Sequence, residues 1–160
     1  MYPPSPSSPP IEGGEIKKIK ILRIIARLNI GGPAIHTVLL TEGLDKDKFE
    51  PILVCGAVSD KEGDMAYYAA QKNIKPIYIR QLGRELNPLN DLIAFLKILS
   101  IIKKEKPDII HTHTAKAGAL GRMAGITYNF WIRVSARHTQ ERKNTRICQA
   151  LLFQGLYLQI

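Results

Sequence analysis

Two histidines, His111 and His113, stand two residues apart in KPDIIHTHTAKAG. On an extended chain that spacing sends both rings to one face. A neutral imidazole there donates to a phosphate or sugar hydroxyl, or acts as a base. His111 also reads as a buried, hydrogen-bonded sheet histidine. His113 lies nearer the strand end and reads as the ligand-facing ring of the pair. His138, in SARHTQE, follows another apolar run in the same way; it reads as a second cleft histidine or as a solvated loop side chain. Lys116 and Gly118, directly after the HTHT run, offer a cation and backbone amides to an anion; the competing reading is a solvated first helical turn. Gly31 and Gly32, in LNIGGPAIHT, form a tight turn where a ligand approaches bare backbone. Pro33 suits the first helical position, and the amides around it converge with the positive end of the helix dipole. Such a turn also occurs without any ligand. His36 falls in the first turn of that helix, either beside the glycine turn or on the surface.

These residues need a scaffold that gathers them. Apolar runs and turn residues predict strands over 19–28, 49–56, 75–80, 108–114 and 131–136. Helical periodicity predicts helices over 33–44, 59–72, 88–106, 115–124 and 142–158. In the first, Ile35, Val38, Leu39 and Leu44 form the expected inner face. Ser59 and Glu62 have capping-box spacing, and Asn73 ends that second helix. Asn87-Pro88 opens the longest helix as cap and first residue. Leu89, Leu92, Ile93, Leu96, Leu99 and Ile102 form its apolar stripe, widened by Phe95, Ile98 and Ile101, so it buries much of its girth or touches a second partner. Strands alternating with helices predict an α/β, Rossmann-like, doubly wound parallel sheet with right-handed crossovers. In such sheets ligands bind outside the carboxyl ends of the strands, where both the glycine turn and the histidines fall.

The chain has 160 residues, 45% of them hydrophobic, which is enough for one domain with a sizeable core. Half of its prolines fall in MYPPSPSSPP, so 1–15 reads as a disordered Pro/Ser-rich leader. That leader has neither the charged nor the apolar region of a secretory signal, and a cytoplasmic location is expected. Cys55 and Cys148 are far apart and read as reduced thiols. No metal is expected, since no ligand spacing joins the histidines to cysteines or carboxylates. The net charge of +9 favours anionic partners. No nucleic-acid motif is present, and the absence of GxGxxG argues against a dinucleotide. A non-catalytic module binding a phosphorylated ligand stays open on these grounds.

ARLNIGGPAIHTVLLTEGL followed by KPDIIHTHTAKAGALGRMAG resembles the N-terminal domain of family 4 glycosyltransferases, which have the two-domain GT-B architecture. SARHTQE is similar, more loosely, to that family's strand-five histidine loop. The resemblance implies retaining transfer of a sugar from a nucleotide-sugar co-substrate to a sugar or lipid-linked acceptor, without a further cofactor. It implies Gly31 and Gly32 at the donor diphosphate or on the acceptor side, with His113 and His138 as catalytic-site histidines. A nucleotide-sugar epimerase of the same architecture is the alternative. Residues 16–160 then form the acceptor-side domain, incomplete and without the donor domain, and the chain alone is expected to lack turnover. An unfinished sheet also implies self-association, with Leu151, Leu152 and Leu156 involved. The positive surface is expected to allow peripheral contact with an anionic inner membrane face.

Overall fold

A computed structural model describes the backbone of residues 17–59, 62–83 and 85–138, with side chains up to residue 132. The expected leader over 1–15, the helix over 142–158, Cys148 and Leu151, Leu152 and Leu156 lie outside the described residues. Within them the order is β1 (Ile19–Ile25), α1 (Gly32–Glu42), β2 (Phe49–Gly56), α2 (Ala66–Gln71), β3 (Ile77–Ile79), α3 (Pro88–Glu105), β4 (Ile109–His113) and α4 (Ala115–His138). The four strands are all parallel, in the order β3-β2-β1-β4. The fold is the α/β, Rossmann-like one expected.

The strand order carries the functional consequence. From β1 the chain winds outward to β2 and β3, then crosses back to place β4 on the other side of β1. The connections above β1 and β4 therefore leave in opposite directions and open a crevice at their carboxyl ends. At the opposite end the two strands are clamped together: the Lys20 amide donates to Asp108 Oδ2 at 2.9 Å, and the Asp108 amide donates to the Lys20 carbonyl at 2.9 Å.

The period of two along each strand divides the core. Leu22, Ile24, Val54 and Ile79 pack with Ala94, Ile98 and Ile102 of α3 and Ala117, Ala124 and Tyr128 of α4. Ile25, Leu53 and Cys55 pack with Ala34 and Val38 of α1 and Ala69 of α2 on the other face. Arg23 and His111 are register partners on β1 and β4, and Arg23 shares the face of Ile25.

Several expectations change. The predicted fifth strand over 131–136 is helix: α4 continues past Gly125 to His138. Ala117, Ala124 and Tyr128 are buried and Leu120 and Ile132 pack beside them, so a helical stripe of three- and four-residue steps runs through the segment. Gly118, Gly121 and Gly125 inside the helix each cost about 1 kcal/mol relative to alanine, which this packing outweighs. The second helix begins at Ala66 and not at Ser59, because Asp64 Oδ1 accepts from the Ala66 amide at 2.7 Å; the Glu62 amide merely donates to the Ser59 carbonyl in a turn. Helix α1 turns Ala34, Thr37, Val38 and Thr41 inward, while Ile35 and Leu39 are exposed. The threonine hydroxyls donate to carbonyls one turn back, Thr37 to Pro33 and Thr41 to Thr37, both at 2.7 Å, so burying them leaves no unmade bond. Helix α3 buries Ala94, Ile98 and Ile102, whereas Leu89, Leu92, Ile93 and Leu96 face solvent. The small Ala94 lets the helix approach the sheet on that face and turns the larger residues outward. Its N-cap is as expected: Asn87 Oδ1 accepts from the amides of Leu89 at 3.1 Å and Asn90 at 3.2 Å.

Candidate active site at the carboxyl ends of β1 and β4

The last register pair of β1 and β4 is Ile25 with His113. Beyond Ile25 the chain runs through residues 26–31 into α1, and this connection is braced. The Ile30 amide donates to the Gly63 carbonyl at 2.9 Å, and the Met65 amide to the Leu28 carbonyl at 2.8 Å. Asn29 and Asp64 form an antiparallel bridge, and Arg27 Nε lies 2.7 Å from Glu62 Oε2. A Cβ on Gly63 would stand 2.2 Å from Ile30 Cδ1, so Ile30 seats directly on that glycine.

Gly31 and Gly32 then present open backbone. A Cβ on Gly32 would meet nothing within 4 Å, and one on Gly31 only Pro33 Cδ at 3.8 Å. Neither residue has a positive φ in the left-handed region. The chain's own packing therefore does not require glycine at either position. Gly56 is the contrast, since its Cβ would fall 1.5 Å from the Leu82 carbonyl oxygen. Gly31 is the N-cap of α1 without a side-chain hydrogen bond, and the first turn of α1 carries no acidic residue. Its leading amides and the helix dipole are left to an anion or to solvent.

Along the β1–β4 pair, on the face covered by α1, lie three imidazoles and a guanidinium. The His111 and His113 rings lie 4.3 Å apart between centroids, and His36 of α1 meets His113 edge-on at 6.0 Å. Arg23, only 5% exposed, brings Nη1 to 2.8 Å from His111 Nδ1 and donates from Nη2 to the Leu40 carbonyl at 3.1 Å. Burial pulls the His113 pKa down to about 4, helped by His111, Arg23 and His36. Burial, then Arg23 and His36, also lowers that of His111. His113 is therefore uncharged at neutral pH, and its buried Nε2 has no hydrogen-bond partner among the described residues. The groups acting on the pair carry no negative charge. The positive charge beside the histidine pair is that of Arg23.

The remaining expected site residues are placed differently. Lys116 is engaged: its Nζ lies 2.6 Å from Asp91 Oδ1 and also donates to the Glu85 carbonyl, tying the start of α4 to the start of α3. The Gly118 amide donates to the Thr114 carbonyl at 2.9 Å within the first turn of α4. A Cβ on Gly118 would point toward Thr112 Oγ1 at 3.6 Å, under the helix. His138 is the last residue of α4, not part of a loop after a strand, and its side chain lies outside the described ones. Arg23 and Gly63 are absent from the sequence-level site. For Arg23 a signal existed: a charge at the centre of a strand whose neighbours Leu22 and Ile24 are apolar. Among the described residues no group of three or more His, Cys, Asp or Glu side chains is arranged to hold a metal. No helix among them is long and apolar enough to cross a membrane.

The profile of Glycosyltransferase Family 4 matches residues 30–153. A UDP-Gal:alpha-D-GlcNAc-diphosphoundecaprenol alpha-1,3-galactosyltransferase of Escherichia coli is 28% identical over 107 residues, covering 67% of this chain and 26% of that protein. The chain thus spans about a quarter of that relative's length. A crystal structure described as a UDP-N-acetylglucosamine 2-epimerase from Listeria monocytogenes superposes with a TM-score of 0.57 at 22% identity, over 71% of this chain and 30% of that one. At that identity the likeness is one of fold.

Proposed function

The chain belongs to glycosyltransferase family 4, and from that premise we propose that it is the acceptor-side domain of a retaining enzyme that moves a sugar from a nucleotide-sugar to a diphosphate-linked acceptor. The observations that carry this reading are the open Gly31-Gly32 backbone at the start of α1 and an uncharged His113 whose Nε2 is unpaired, with no carboxylate among the described groups acting on the rings. A diphosphate oxygen suits the leading amides of α1, where charge-assisted bonds are the strong ones. The neutral His113 ring accepts from or donates to a sugar hydroxyl without adding charge. A charged imidazole would compete with the amides for the anion; a neutral one leaves it to them. The diphosphate in the Escherichia coli relative's named acceptor fits the same chemistry. The domain forms one wall of a cleft, and turnover of the donor requires a second wall.

Thermal unfolding of the chain with a short-chain polyprenyl-diphosphate sugar, and separately with a UDP-sugar, tests this. The acceptor raises the midpoint by mass action, and Gly32→Val or His113→Ala removes that rise. The UDP-sugar alone is not hydrolysed or transferred. Absence of stabilisation by either ligand overturns the reading in favour of a module with another partner.

A further inference from the structure

Arg23 is a cation buried in a strand with no carboxylate within ion-pair distance among the described residues, and that calls for a role beyond packing. Its guanidinium has donors only. The 2.8 Å approach of Nη1 to His111 Nδ1 is therefore a hydrogen bond only when Nδ1 is the unprotonated nitrogen. We infer that Arg23 is a positioning residue: by donating to Nδ1 it locks His111 into the uncharged tautomer protonated at Nε2, and so holds a neutral ring against His113.

The placement is built in from three sides. Arg23 and His111 are register partners on neighbouring strands, so the contact is set by the sheet and not by a loop. The second guanidinium arm bonds the Leu40 carbonyl near the carboxyl end of α1, where a cation complements the helix dipole. This fixes the plane of the fork and leaves Nη1 facing the ring. The groups facing the histidine pair are Arg23 from β1, His36 from α1 and the two rings of β4 themselves. Cys55 of β2, on the same sheet face, stays an uncharged thiol, with burial holding its pKa up at about 12. No acid is present in this set to offset Arg23, so a proton on His111 would stand against a fixed positive charge. His113, 4.3 Å away, is spared a charged neighbour and stays available to the ligand; that last link rests on the proposed function.

Long-range proton–nitrogen correlation spectra of the uniformly nitrogen-15 labelled chain test this between pH 8 and 4, with rings assigned by single histidine-to-glutamine variants. His111 is expected to show a pyridine-type Nδ1 and a pyrrole-type Nε2, with a midpoint below the ordinary histidine value of 6.5. Arg23→Met, which keeps the apolar stem, is expected to mix the tautomers and to bring the midpoints of His111 and His113 up toward 6.5. Arg23→Lys, which keeps the charge and one donor, retains the wild-type pattern. A protonated Nδ1 on wild-type His111, or a midpoint near 6.5, overturns the inference even if Arg23→Met fails to fold. So does a folded Arg23→Met with an unchanged His111 spectrum. No ligand takes part in these measurements, so their failure is separate from failure of the binding experiment.

Discussion

The protonation state of His113 is set by where its ring lies, not by its residue type. The same side chain in water is half protonated near pH 6.5. Here burial, helped by His111, Arg23 and His36, pushes that point down to about 4. The consequence for stability has a definite sign. The unfolded chain takes up a proton at His113 as the pH falls below about 6.5, while the folded chain resists until about 4. The contribution is therefore fully present above the unfolded value and is lost progressively across that window. His111 acts in the same direction. The unfolding midpoint is expected to fall as the pH is lowered from 7 to 5, and His113→Gln to flatten that dependence. An equally steep fall in His113→Gln would place the titration elsewhere.

Each element brings its residues to the cleft by a local device. Helix α3 starts where Asn87 accepts two amides and Pro88 fills the first turn. It stops where Lys106 adopts the left-handed conformation at φ 49 and bonds back to the Ile102 carbonyl. Asn87→Ala is expected to cost about 1 kcal/mol in urea unfolding, with no change in the histidine signals, since the cap lies on the opposite face from His113. The glycine connection after β1 relies on the brace from residues 63–65 as much as on its own sequence. Helix α4 sits close on β4 because Gly121 leaves no Cβ to meet Thr112 Cγ2, which would stand at 2.7 Å.

Taken together, the fold leaves apolar side chains facing outward on one side. Helices α3 and α4 run parallel, joined at their starts by Asp91 and Lys116 and at their ends by Lys103, 5.0 Å over the Trp131 ring. Their outer surfaces expose Leu89, Leu92 and Leu96, and Met123, Ile126 and Phe130. An apolar surface of this kind is costly in water. The chain is expected to self-associate with rising concentration, and Leu92→Lys together with Leu96→Lys to reduce the effect, as read by sedimentation velocity. A wild-type chain that sediments as a monomer at high concentration counts against this. The positions expected from sequence to drive association, Leu151, Leu152 and Leu156, lie outside the described residues, and α3 and α4 supply the argument in their place.

The doubly wound architecture, strand β2 to the residue, the cap of α3, the glycine turn and the pairing of His111 with His113 were legible in the sequence. These are local properties: a period of two or of three to four, a proline, a paired glycine. Which apolar face of α3 turns inward was not legible, because Ala94, Ile98 and Ile102 win only once the sheet exists to pack against. Nor was the course of 131–136, where a strand-like composition yields to a helical stripe that the core completes. Lys116 read as a cation offered to a ligand until Asp91, from another helix, came within 2.6 Å. Arg23 gains its partner only when the parallel register of β1 and β4 sets its guanidinium against His111. In each case the deciding partner is remote along the chain, and distance in sequence says nothing about a contact that only the crossing of β4 beside β1 creates.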